Sequence, residues 1–224
     1  MTSQPRTKKN RLWRSEDGRS IVEVLTVVAI SSLLTAVAVP QMIGARRMMR
    51  SNGLARQIAA QLRFTRQQAM SQRQAFTFQY DDSTKTITIL DHNNTTAGCI
   101  LTGQQVLTAP GYPNTACTTT ALTVPLAVAG LTASEISYGI PSGISGSTTL
   151  DDGTTITNLS GTVVNITFQS NGTVTDGSGN YVSPTMFFYN NQVPTQTATG
   201  ISVLGAAGRV KVWRYSSSAS KYAE

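Results

Sequence analysis

The feature that most constrains this 224-residue chain is an apolar run from Ile21 to Ile43 that holds a single charged residue, Glu23. As a helix, a run of that length spans roughly 34 Å, which is enough to cross the hydrocarbon core of a membrane. A carboxylate inside such a segment costs free energy and is usually kept for a partner. The sequence therefore predicts a membrane helix in which Glu23 is a functional residue.

A basic leader, residues 1–18, precedes the apolar run and ends at Gly18. Gly18, then Glu23 five residues later, and Pro40 near the end of the run resemble the class III signal of type IV pilins and type II secretion pseudopilins. The resemblance implies that prepilin peptidase cuts between Gly18 and Arg19 and that the new amine of Arg19 is methylated. It also implies that Glu23 pairs with such an amine when subunits dock. Arg19 stands where the family usually has Phe.

Two simpler interpretations of the apolar run stay open. One is an ordinary single-pass anchor. The other is a secretory signal peptide, because Ala36 and Ala38 form a small-x-small cleavage site after an apolar region. Neither interpretation explains why Glu23 lies inside the run.

The two cysteines favour export of the part of the chain that follows the helix. Cys99 and Cys117 lie in one polar loop and could close a disulfide in an oxidising compartment, with two unpaired thiols as the alternative. They do not form a CxxC pair, so no metal site is expected. The positive-inside rule is undecided, because both flanks of the apolar run are basic.

Residues 44–73 are expected to continue the helix as an amphipathic segment. Apolar or small residues recur there at helical spacing and predict one buried face: Leu54, Ile58, Leu62, Thr65 and Ala69. Pro40 and Gly44 mark a weaker point between the two halves. From Gly44 to Arg73 there are seven arginines and no acid, and the first of them suit the level of the lipid headgroups.

Residues 74–224 are expected to form a β-rich head, with a variable loop at residues 91–132. Polar and apolar residues alternate in short segments separated by turn signals, foremost Asn171-Gly172. The predicted strands are residues 75–80, 86–90, 122–128, 135–138, 154–159, 162–168, 185–189, 200–204 and 209–215. The fold class is therefore α+β, a long helix packed on an antiparallel sheet or sandwich.

The passage from the helix into the first strand and the closing segment SVLGAAGRVKVWRY resemble the minor pseudopilin H group of type II secretion and its type IV pilus counterpart. In that group an Arg- and Ala-rich helix end leads directly into the first strand, and a terminal Gly-Arg strand recurs. The resemblance implies a low-copy subunit near the filament tip.

Enzyme activity is not expected. The only histidine, His92, has no second ligand or matched nucleophile nearby in the sequence, so neither a hydrolase nor a cofactor or metal site is indicated. The pairs Asp81-Asp82 and Asp151-Asp152 lie among Gly, Ser and Thr, and turn formation is the better account of them.

The last predicted strand carries the one candidate binding surface. Arg209, Lys211 and Trp213 share one side-chain parity, whereas Arg214 shares the other parity with two valines. Two cations and an indole on one face could hold phosphate and stack a base. Some minor pilins of the resembled group bind DNA through a Gly-Arg-x-Arg motif, which Gly208 to Lys211 matches except that Lys replaces the last Arg. A solvated outer face is the alternative.

The sequence thus predicts a non-catalytic minor pilin or pseudopilin of the bacterial inner membrane, with a cytoplasmic N-terminus and a periplasmic head. Its expected partners are prepilin peptidase, membrane lipid and other pilins, which it contacts through the N-terminal helix. A DNA-binding minor pilin and an anchored envelope protein with an adhesive head are the alternatives.

Overall fold

The computed structural model describes residues 20–92, 118–126, 131–144, 149, 153, 155–176 and 180–223. Gly18, Arg19, Cys99, Cys117 and the Asp151-Asp152 pair lie outside these residues, and so does most of the predicted loop. The chain divides between Ile43 and Gly44 into two structural units.

One long helix, α1, runs from Ile21 to Gln72 and contains Pro40. Within the second unit it buries one face, which includes all the positions of the predicted stripe: Ser51, Leu54, Ala55, Ile58, Ala59, Leu62, Thr65 and Ala69. Arg56 and Arg63 are exposed. The helical periodicity of the sequence therefore identified the correct face.

The strands form two sheets. The first has four strands, in the order β3-β2-β1-β6, and all its pairings are antiparallel. Its strands are β1 (Phe76–Asp81), β2 (Thr86–Asp91), β3 (Thr119–Pro125) and β6 (Val163–Phe168). The turn between β1 and β2 is closed by Asp81, whose carboxylate accepts hydrogen bonds from the backbone and side chain of Ser83.

The second sheet has the order β10-β9-β8-β7-β4, and β5 pairs with β7 in parallel. Its strands are β4 (Ile136–Tyr138), β5 (Thr157–Asn158), β7 (Pro184–Asn190), β8 (Thr199–Leu204), β9 (Arg209–Ser216) and β10 (Lys221–Ala223). A 3-10 turn (Ala133–Glu135) and a one-turn helix (Pro194–Thr197) complete the regular structure among the described residues. The α+β class predicted from the sequence is confirmed.

The second sheet is covered on both faces. Met186 and Phe188 belong to a core that also contains the buried face of α1 and the inner residues of the first sheet. Phe187 lies between them in sequence and belongs to a second cluster with Trp213 and Tyr222. Because neighbouring strand residues point to opposite faces, the two clusters lie on opposite sides of this sheet.

The observed strands differ from the predicted ones most in three places. The strand predicted at residues 154–159 is reduced to the two residues of β5, Thr157–Asn158. Strand β3 lies within residues 91–132 and begins at Thr119, three residues before the predicted start. Strand β10 was missed, because its three residues are too short to show alternation. It pairs with the end of β9, where Tyr222 lies opposite Tyr215.

His92 makes the stability of the head dependent on pH. It is 6% exposed, and burial lowers its pKa to about 4. Its Nε2 lies 2.7 Å from the Thr77 hydroxyl, which lies 2.6 Å from the Thr167 hydroxyl. Between about pH 6.5, the unfolded value, and pH 4, the unfolded state binds a proton that the folded state does not. We expect the free energy of unfolding to fall by about 2–3 kcal/mol from pH 7 to pH 4.5.

Urea titrations of the wild type and of His92→Gln at both pH values measure this effect. The variant lacks the titrating group, so most of the pH dependence in this window should be lost. Hydrogen bonds from Ser83 lower the pKa of Asp81 from 3.8, so this residue changes the stability only below the pH range of the experiment. An equally steep dependence in His92→Gln would contradict the assignment.

Candidate functional site

The first structural unit is an apolar helical arm, residues 21–43. Every residue in it is exposed, including large side chains such as Ile21 (78% exposed) and Leu33 (68%). The arm is part of the one helix, among those described, that is long and apolar enough to cross a membrane. It therefore presents an apolar surface along its whole length.

Polar side chains of the arm differ in how they are satisfied. The hydroxyls of Thr26, Ser32 and Thr35 donate to backbone carbonyls three or four residues earlier, at 2.7–2.8 Å. Among the residues that the structure describes, none donates a hydrogen bond to the carboxylate of Glu23, which lies in the first turn. Glu23 is thus the charged group of the arm, and no described residue donates a hydrogen bond to it.

Strand β9 places the predicted binding residues on two different surfaces. Lys211 is 8% exposed and Trp213 is 1% exposed, because the second hydrophobic cluster covers their face of the sheet. The indole nitrogen of Trp213 donates to the Ser202 hydroxyl at 2.6 Å, and the Lys211 ammonium lies 4.8 Å from the ring centre. The expectation that this indole is exposed to stack a base is therefore wrong.

Arg209 and Arg214, in contrast, are exposed. Arg209 is the first residue of β9 and follows the turn at residues 205–208. It lies on the wall of a cleft of about 500 Å³ whose remaining walls come from α1 and the same turn. The cleft is lined by Arg63, Arg66, Gln67, Met70, Gly208, Arg209 and Val210. We call it the basic cleft, since three of its residues are arginines and none is acidic.

Close contact between two turns and the helix shapes the basic cleft. Arg66 is half-buried, and its Nε donates to the carbonyl oxygen of Gly172 at 3.2 Å. Gly208 has a φ of +59°, and a Cβ built on it would overlap that same carbonyl oxygen and lie 2.5 Å from the Arg66 Nε. Only glycine suits both the left-handed backbone and the close approach.

Sequence reasoning did not identify Arg63 and Arg66 as site residues. Arg63 lies on the exposed part of the helix, and no sequence pattern reveals which loop packs beside it. The available signal was Gly208, because glycine is the usual residue where a tight turn brings the backbone close to another segment. Among the described residues, no group of three or more His, Cys, Asp or Glu side chains is arranged to hold a metal ion.

No protein-family model matches the chain, and no curated protein matches it in sequence. Two solved structures are similar to it, both of the type IV minor pilin FimU of Pseudomonas aeruginosa PAO1, in two crystal forms. They share 17% and 18% identity with the chain at a TM-score of 0.40, covering 77% of this chain and 92% and 97% of theirs.

Proposed function

We propose that this protein is a structural subunit of a type IV pilin-like filament, either a pilus or a secretion pseudopilus. The observation that carries the proposal is the fully exposed apolar arm with an unsatisfied carboxylate, Glu23, in its first turn. In the same proposal the protein starts as a single-pass protein of the inner membrane, with its N-terminus in the cytoplasm and its head in the periplasm. Prepilin peptidase then removes residues 1–18, and Arg19 is methylated.

Lipid is a favourable environment for the apolar side chains of the arm and an unfavourable one for its carboxylate. Lipid covers apolar side chains as well as a neighbouring helix does, so the arm is stable as a membrane anchor. Lipid chains offer no hydrogen bond to the Glu23 carboxylate, and a charged group within an apolar membrane segment is costly. A cationic amine from a neighbouring subunit removes that cost, so the same residue that disfavours the isolated anchor favours assembly.

The head does not need the arm to complete its core. The buried residues of α1 that enter the main hydrophobic cluster begin at Leu54, and the rest of the cluster comes from the two sheets. This separation is what a filament subunit requires, because the arm must exchange lipid for protein neighbours while the head keeps its fold.

Replacing Glu23 tests the proposal. We expect Glu23→Ala to lower the filament-bound fraction in the host by more than about tenfold, because losing one member of a buried charge pair costs about 2–5 kcal/mol. Thr35→Ala is the matched control, since its hydroxyl is satisfied within the helix. Sheared filaments and membranes are compared by immunoblotting.

Two results would contradict the filament proposal. If Glu23→Ala leaves assembly unchanged and surface level intact, the chain is an anchored envelope protein with an adhesive head. If the intact mass of the purified protein retains residues 1–18, or shows a start at Val39, peptidase processing at Gly18 is wrong. A start at Arg19 with one added methyl group is the expected mass.

A second candidate function is DNA binding by the exported head. It is favoured by the two exposed arginines of the last long strand, Arg209 and Arg214. Cations at exposed positions are the general basis of sequence-independent binding to the phosphate backbone. Lys211 and Trp213 are left out of this candidate because both are buried.

A further inference from the structure

We propose that the basic cleft binds the phosphodiester backbone of a nucleic acid, and that Arg63 and Arg66 of the helix form this site together with Arg209. The inference rests on the second candidate function and gives it a specific location. The proposed site differs from one formed by strand β9 alone, because two of its three cations come from α1.

Three arginines from two parts of the head line the same cleft. Arg63 and Arg66 are three residues apart and therefore neighbours on the helix surface. Arg209 approaches them from the turn that Gly208 holds against the helix. The bond from Arg66 Nε to Gly172 uses one of the five N–H donors of this guanidinium and fixes its orientation.

The charges of the surroundings favour an anion in the cleft. None of the residues lining it is acidic, and α1 has no Asp or Glu between Gly44 and Gln72. Guanidinium groups match phosphate oxygens with paired hydrogen bonds. An open cleft of about 500 Å³ admits a section of a polymer backbone and is larger than one phosphate group requires.

The matched variants are four single arginine-to-glutamine substitutions at exposed positions, each of which removes one positive charge. Arg63→Gln and Arg209→Gln change the cleft. Arg56→Gln on the same helix is the control, since this residue is exposed and does not line the cleft. Arg214→Gln, on the same strand as Arg209, tests instead whether the exposed strand arginines bind DNA without the cleft. Arg66 is not varied, because its bond to Gly172 makes it structural as well.

The experiment measures binding of a fluorescein-labelled DNA duplex of random sequence to the full-length protein in non-ionic detergent. Anisotropy titrations at about 50–200 mM NaCl give the slope of log Kd against log salt concentration. We expect each cleft variant to lower this slope by about 0.9 and to weaken binding about threefold or more, and the double variant to lower it by about twice as much. The control variant Arg56→Gln should change the slope by much less.

Each of the following outcomes would show that the basic cleft is not the DNA-binding site. If all four variants lower the slope equally, binding follows net charge. If Arg214→Gln acts and Arg63→Gln does not, the strand binds DNA and the cleft does not. Absence of duplex binding at the lowest salt overturns both the cleft and the second candidate function, while the filament proposal is unaffected. If polyglutamate of equal charge displaces the duplex equally well, the cleft serves an acidic protein partner.

Discussion

Trp213→Ala is expected to lower the free energy of unfolding by about 3–5 kcal/mol, the usual cost of removing a buried aromatic side chain. The indole is 1% exposed and packs in the second hydrophobic cluster with residues such as Phe187 and Tyr222. Its loss also leaves the fully buried Ser202 hydroxyl without its donor and removes the ring beside Lys211. Urea titration of the full-length protein in detergent, followed by far-UV circular dichroism, measures the change.

Two further variants separate the contributions of this residue. Trp213→Phe keeps most of the buried ring and loses the hydrogen bond to Ser202, so its cost should be clearly smaller than that of the alanine variant. Arg214→Ala, at the next and exposed position, should change stability by no more than about 0.5 kcal/mol. A cost below about 1 kcal/mol for Trp213→Ala would show that the indole is not the packing residue described above.

Gly208→Ala is expected to destabilise the head by about 2–4 kcal/mol. Part of this cost is the left-handed backbone, since the φ of Gly208 is +59°. The larger part is steric, because the new methyl group would overlap the Gly172 carbonyl oxygen, which also accepts the hydrogen bond of Arg66. The turn at residues 205–208 or the turn that holds Gly172 must move, and the first of these carries a wall of the basic cleft.

Gly143→Ala is the control for the backbone contribution. Gly143 has a φ of +86°, and a Cβ built on it meets nothing within 4 Å. It should cost about 1–2 kcal/mol, the strain of the left-handed conformation alone. The same urea titration compares both variants, and equal costs would mean that the contact between Gly208 and Gly172 is unimportant for stability.

Several elements of the fold followed from local patterns. The helix face that is buried repeats at helical spacing from Leu54 to Ala69, and the strands show alternation bounded by turn residues. These predictions succeeded because backbone geometry alone decides which side chains share a face. The same reasoning correctly placed Arg209, Lys211 and Trp213 on one parity of β9.

The sequence by itself determined an apolar helix with one internal carboxylate and an α+β head, because both depend on composition and spacing along the chain. Only the tertiary structure decided which of the predicted binding residues face solvent. Lys211 and Trp213 are buried because residues distant in sequence, such as Ile144 and Phe187, cover their side of the sheet. Arg63, Arg66 and Arg209 line one cleft for the same physical reason: packing between distant segments, which periodicity does not encode, brings them together.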